Sequence, residues 1–436
     1  MNRRTTCIRL SASAVPLLAA LGCYLSHADL EDAGPDDAGR DDAVRDDARD
    51  VPADMPSDVP PGEWAFVDDD IPDRALAVRL YFAEVPAVAW NGTVAGVVYH
   101  GLELGSDDRI GFLALDALGN PVGDECVLAE GRGLNSAMPR IAVSNDGDFL
   151  VSFVDEGSDR RLRLLRVDSS GDILANGDWI EDSDIADPLP APADGPTMID
   201  VATTSWSTGE ERPWIYNYDR ASLWPMLASS PDFFPGGFAS APQMTRAPGG
   251  GYPLLAYHTP RGTLRIEQYQ EGGTFPGPIS AELTFGAEPS DYGIASSSTD
   301  WFVFAFEFLG PGAPNRLSSI VSGGSPVVDE LYGELYGIGM GAAASDHPAW
   351  GAALALWDGD GWGIHAILSA RVPGRAEPVH AALEVSDPAE TRRMDDIPQV
   401  GLAWTDGGFL VVWDEWREGP NYALFSSFVA LRPVSH

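Results

Sequence analysis

The chain has 436 residues, 44% of them apolar, so it can bury a substantial core; Gly (47) and Pro (35) together make up about a fifth of it, which points to many turns and an all-β class. Its 66 acidic side chains stand against 27 basic ones, every one of them arginine, for a net charge of −39. A polyanion of that size is repelled by nucleic acid and by anionic lipid, which excludes nucleic-acid binding as a function.

In chain order, residues 1–22 read as a secretory signal. Arg3, Arg4 and Arg9 form a positive start, and Leu10 to Leu21 a short, largely apolar run. About twelve residues are too few to span a bilayer as a stable helix. The stretch Leu18-Ala-Ala-Leu-Gly-Cys23 resembles a bacterial lipobox, whose cysteine is lipidated and becomes the mature N-terminus. That resemblance makes Cys23 a lipid anchor and places the protein at an outer membrane or cell surface. The alternative is plain secretion after cleavage at Ser26-His27-Ala28, a small-x-small site.

Residues 23–62 form a tether. Between Asp29 and Asp58 there are twelve acids, three arginines and almost no large apolar side chains, followed by a Pro-rich run to Pro61. Such a segment cannot bury enough surface to offset its ordering entropy, and like charges and prolines extend it. Cys7 and Cys23 lie in the leader region, which leaves Cys126 as the one body cysteine. Three cysteines so placed form neither a disulfide framework nor a zinc pattern, and a lone body cysteine is most often a buried hydrophobe.

The body, residues 63–436, is repetitive. Each unit opens with Pro and an alternating apolar strand, turns through a tight polar hairpin, and runs into a second strand ending in an apolar or aromatic residue plus Asp, Glu or His. The clearest copies begin at Pro86-Ala-Val-Ala-Trp-Asn-Gly, Pro139-Arg-Ile-Ala-Val-Ser-Asn-Asp-Gly and Pro398-Gln-Val-Gly-Leu-Ala-Trp-Thr-Asp-Gly. Weaker copies begin at Pro196, Pro242 and Pro289, and one near Gly337 lacks the proline. The Asn-Gly and Asp-Gly pairs suit hairpins that need positive φ. Second strands are expected to close at 100, 155, 219, 258, 307, 358 and 414, six intervals over 314 residues, or about 52 each. Seven units of that length fill the body. The last unit shows only three strands, so the segment Ala75 to Phe82 is expected to return and close the ring, removing an open edge.

These units resemble the four-stranded blades of seven-bladed β-propellers, and the chain as a whole is similar to the tethered propeller lipoproteins of myxobacteria and their relatives. The resemblance is at the level of the repeat and carries no catalytic motif. The period is too long for WD repeats, the double glycines do not sit as kelch repeats require, and no sialidase-type box is present.

Propeller geometry puts His100, Asp155, Asp219, His258, Glu307, Asp358 and Asp414 in one ring on one face, a candidate ligand site for a cation or a polar molecule. The competing role is to cap turns in every blade. Asp358-Gly-Asp360-Gly-Trp362 lacks the distal glutamate of a calcium loop, and no metal or cofactor is expected. Trp206, Trp214 and Trp224 are candidates for stacking on a sugar or for packing between blades. No serine, cysteine or metallohydrolase motif is present. The reading is a monomeric, non-enzymatic propeller that binds a protein or carbohydrate ligand and meets the membrane only through its lipid. The alternative is a polysaccharide hydrolase or lyase with acids at the propeller mouth.

Overall fold

A computed structural model describes residues 64–433, leaving aside 69–73, 77–81, 103–106, 135–137, 157–159, 181–189, 206–211, 230–241, 249–250, 260–262, 269–279, 286–288, 308–314, 323–326, 332–339, 345–348, 358–361, 373–374, 376–377, 387–397 and 417–421. The leader, Cys23 and the tether therefore lie outside the described residues, as do Asp358 and Trp206. The strands pair antiparallel into seven sheets, six of them four-stranded meanders in chain order. The innermost strands are Phe82–Trp90, Arg140–Val143, Ala191–Asp194, Gln243–Thr245, Pro289–Ser296, Met340–Ala344 and Val400–Thr405. Each touches the next, and the seventh touches the first, so the sheets form a closed ring of seven blades.

The core explains why the second strands read as apolar runs. A blade is covered by a neighbour on both faces, so alternate side chains enter different seams. In the strand Phe149–Asp155, Leu150 and Val154 pack toward blade 3 with Ile199, Val201, Tyr216 and Tyr218. Val151 and Phe153 point the other way, toward Val98, Ile110 and Phe112 of blade 1. Seven apolar clusters result, one at each seam. Cys126 belongs to the seam between blades 1 and 2, buried as expected for a lone thiol.

Two sequence expectations shift. The ring is closed by an N-terminal strand, but the main one is Trp64–Asp68, laid against the end of Tyr422–Pro433 in the register Trp64↔Pro433 to Asp68↔Val429. Arg74 and Ala75 add a second short pairing with Ser426 and Phe425, and Leu76 donates its amide to the Leu424 carbonyl. Phe82 instead begins the innermost strand of blade 1. The preference is physical. Trp64 and Phe66 bring two aromatic rings into the seam between blades 6 and 7, each burial contributing about 1.5–3 kcal/mol.

The third unit is also out of frame. Its inner strand is Ala191–Asp194, its second Met198–Ser205 and its third Arg212–Asp219. Pro196 sits in the turn after the inner strand, and Asp219 closes a third strand rather than a second. The inner strand Ala-Pro-Ala-Asp is too short and too polar to announce itself, so the stronger third strand takes the second strand's place in the pattern.

Candidate functional site

The seven inner strands enclose a cavity of about 890 Å³ along the propeller axis. Small side chains widen it: Ala142 and Ala193 line its wall, and blade 5 presents Gly293. The hairpins joining inner to second strands form its rim. The exposed lining residues Gly92, Arg246, Ser298 and Asp406 all lie at that end, which is therefore the mouth.

The charged groups of the wall have defined settings. Asp194 is buried and accepts from the Asn145 amide at 2.6 Å and from Arg220 Nη2 at 2.7 Å, so its charge is taken up within the framework. Arg140 lines the wall from blade 2. Asp291 is not among the lining residues; it is half-buried on the inner strand of blade 5. Burial pushes its carboxyl up to about 7, opposed by the Tyr292 amide, which donates to it at 2.7 Å, and by the positive charge of Arg140. Asp406 stands exposed on the blade 7 hairpin.

Two tryptophans stand at the mouth. Trp90 ends the inner strand of blade 1 and Trp404 stands one residue before the end of that of blade 7. Both are half-buried and both line the cavity. Trp90 rests against the seam between blades 7 and 1. Trp404 meets Phe409 edge-on, with ring centroids 4.9 Å apart and planes at 81°.

Five of the seven residues expected to form a polar ring share one end of the propeller, the end opposite the mouth. His100, Asp155, His258, Glu307 and Asp414 lie at the far ends of second strands, away from the hairpin rim. His100 is buried with Nε2 3.3 Å from Asp108 Oδ1. Asp155 faces Arg163 Nη1 at 3.4 Å. The His258 ring lies 4.6 Å from that of Tyr292 in the next blade. Glu307 accepts from Ser318 Oγ at 3.2 Å. Asp414 accepts from the Val85 amide at 2.8 Å and the Gln399 amide at 2.6 Å. Asp219 is displaced to the hairpin side, where it accepts from Ser222 N at 2.8 Å and Ser222 Oγ at 2.6 Å; those bonds hold its carboxyl below the ordinary value. None of these six lines the cavity. Trp214 packs at the seam between blades 2 and 3, and Trp224 is 69% exposed on a turn at the propeller's outer side. Among the described residues, no group of three or more His, Cys, Asp or Glu is arranged to hold a metal ion.

Sequence reasoning passed over Trp90, Trp404 and Asp406 as site residues. The signal was present in the two motifs Ala-Trp-Asn-Gly and Ala-Trp-Thr-Asp-Gly, each a tryptophan set against a hairpin.

No family model matches the chain, and no curated protein matches it. Solved structures do. The lectin of Aleuria aurantia in complex with Fucalpha1-6GlcNAc is 13% identical, with 73% of this chain and 99% of that one covered, at a TM-score of 0.43. The β-propeller domain of the trilobed protease from Pyrococcus furiosus is 10% identical over 81% and 100% of the two chains, at 0.44. A protein of unknown function from Dyadobacter fermentans is 11% identical over 83% and 98%, also at 0.44. The seven-bladed ring itself rests on this chain's own strand pairing.

Proposed function

We propose that this chain is a non-enzymatic, exported binding propeller that takes a carbohydrate into the mouth of its central cavity. On this reading a lipid on Cys23 holds it to a membrane, and the acidic tether keeps the propeller clear of the surface. The observation that carries the binding site is the cavity. Its volume of about 890 Å³ falls within the roughly 300–1,000 Å³ of small-molecule sites, and a few convergent polar groups on a rigid wall are what such sites use for orientation. Its rim mixes indole, hydroxyl, carboxylate and guanidinium groups from several blades: Trp90, Ser298, Asp406 and Arg246.

The test is a glycan array probed with the labelled mature protein. Wild-type protein should retain one or more glycans, displaced by the same free sugar. Ser298→Trp, which crowds the rim from blade 5, should weaken that binding about tenfold, equivalent to about 1.4 kcal/mol. Retention of glycans with no effect of the rim variant would move the site out of the cavity. An array with no bound glycan would overturn the carbohydrate reading.

A further inference from the structure

The rim of the cavity is not uniform. Its aromatic lining residues, Trp90 and Trp404, flank blade 7, Trp90 on the side of blade 1 and Trp404 on the side of blade 6. Gly401 makes the junction of blades 7 and 1 close: a side-chain carbon there would come within 3.0 Å of Val88 Cγ1 and 3.2 Å of the Val88 amide. The inner strands of blades 7 and 1 therefore run nearly in contact, and their ends place Trp90 and Trp404 on neighbouring parts of the rim. Trp90 occupies the seam between blades 7 and 1, and Trp404 the seam between blades 6 and 7. The hairpin of blade 7 rises between them and carries Asp406.

This hairpin is pinned on two sides. Thr405 Oγ1 donates to the Ala117 carbonyl of blade 1 at 2.8 Å. The Leu431 amide donates to the Gly407 carbonyl at 3.0 Å, and Gly407 takes the φ of 94° that the turn requires. Trp404 is fixed by its edge-on contact with Phe409. The Trp404 indole and the hairpin backbone that carries Asp406 are thus held in place before any ligand arrives, which lowers the ordering entropy that opposes binding there.

We propose that Trp90, Trp404 and Asp406 form a subsite for a neutral pyranose ring, a specificity that rests on the carbohydrate reading above. The apolar C–H face of the sugar packs on indole surface, which offers large contact area at low entropic cost. The Asp406 carboxylate accepts hydrogen bonds from adjacent hydroxyls, a charge-assisted contact stronger than a neutral one. The same carboxylate, on a protein of net charge −39, disfavours uronates and other acidic sugars through like-charge repulsion.

The experiment uses the full mature chain on an array holding matched neutral and uronate-bearing glycans, followed by calorimetric titration of the strongest neutral glycan. Neutral glycans should be bound and their acidic counterparts bound at least tenfold more weakly. Asp406→Asn changes an exposed side chain; it should lower affinity for the neutral glycan about tenfold and narrow its advantage over the uronate. Trp404→Ala should do the former without the latter, while Trp404→Phe, which keeps an aromatic face, should recover part of the loss. Circular dichroism melts confirm that each variant is folded. Neutral-glycan binding unchanged in Asp406→Asn and Trp404→Ala, or a preference for uronates, would overturn the subsite while leaving the carbohydrate reading intact. An array on which nothing binds would remove both.

Discussion

Asp414 shows how one polar side chain serves the ring. It joins the Gln399 amide of its own blade to the Val85 amide of blade 1. Val85 is buried at φ 54°, a conformation strained for a β-branched residue, and it sits beside the bulge between Glu84 and Ala87. A buried carboxylate accepting two amides holds that backbone in place. Asp291 is the opposite case, an acid whose charge the fold opposes. Below the ordinary aspartate value of 3.8 both folded and unfolded chains carry its proton, and nothing is lost. Between that value and about 7 the folded chain alone keeps the proton, so stability falls as pH rises through this window and levels off above it. The full interval at about 1.4 kcal/mol per pH unit is an upper bound; solvent at a half-buried site reduces the loss to about 2 kcal/mol. Asp291→Asn should therefore flatten the denaturation midpoint between pH 4 and 7 and raise it at pH 8. Chemical melts across that range decide the matter, and a variant curve parallel to wild type would count against the assignment. Neither role could be read from the repeat: it marked Asp414 only as one closing residue among seven, and it did not mark Asp291 at all.

Among the elements, the closing strand Trp64–Asp68 carries the most consequence. Its side chains alternate strictly. Trp64 and Phe66 enter the seam between blades 6 and 7, while Val67 is 43% exposed. Asp68 accepts from Ser427 Oγ at 2.9 Å, across 359 residues of sequence. Trp64→Ala should cost about 3–5 kcal/mol, the usual figure for emptying a buried aromatic position, and Val67→Ala less than about 0.5 kcal/mol. Urea melts of the two variants provide the comparison, and equal effects would show that this strand does not close the ring. In the sequence, Ala75 to Phe82 is the longer apolar run and draws the assignment. Trp64-Ala-Phe-Val-Asp is shorter and follows directly on the Pro-rich tether, yet it has the alternation that one buried face requires. The misplaced third blade has the same origin: a four-residue strand with a proline gives little periodicity to detect.

For the whole molecule, the ring has no beginning in space although the chain has one. The closing strand pairs with the last strand, so the point where the chain enters the propeller is built into blade 7. That blade also carries Trp404 and Asp406. A lipid anchor at Cys23, as proposed above, would be joined through residues 24–63 to the same blade that holds the proposed sugar subsite. Mass spectrometry of the mature N-terminus tests the anchor. A diacylglyceryl cysteine at position 23 is the expected species, and an unmodified chain starting at Asp29 would replace anchoring with secretion.

By itself the sequence determined the class, the number of blades and the presence of an N-terminal closing strand. Those follow from local periodicity, from hairpins that need Gly, Asn or Asp, and from a repeat length that divides the body into seven. It also marked the acids and histidines at second-strand ends, because a repeated position is visible without knowing what it faces. Only the tertiary structure decided which polar groups meet. Trp90 and Asp406 are more than 300 residues apart and reach one rim only because the ring closes. Asp291 and Arg140 influence each other from different blades for the same reason. Periodicity reports which side of a strand is buried, but the groups that converge on an axis are set by closure, and closure is a property of all seven seams together.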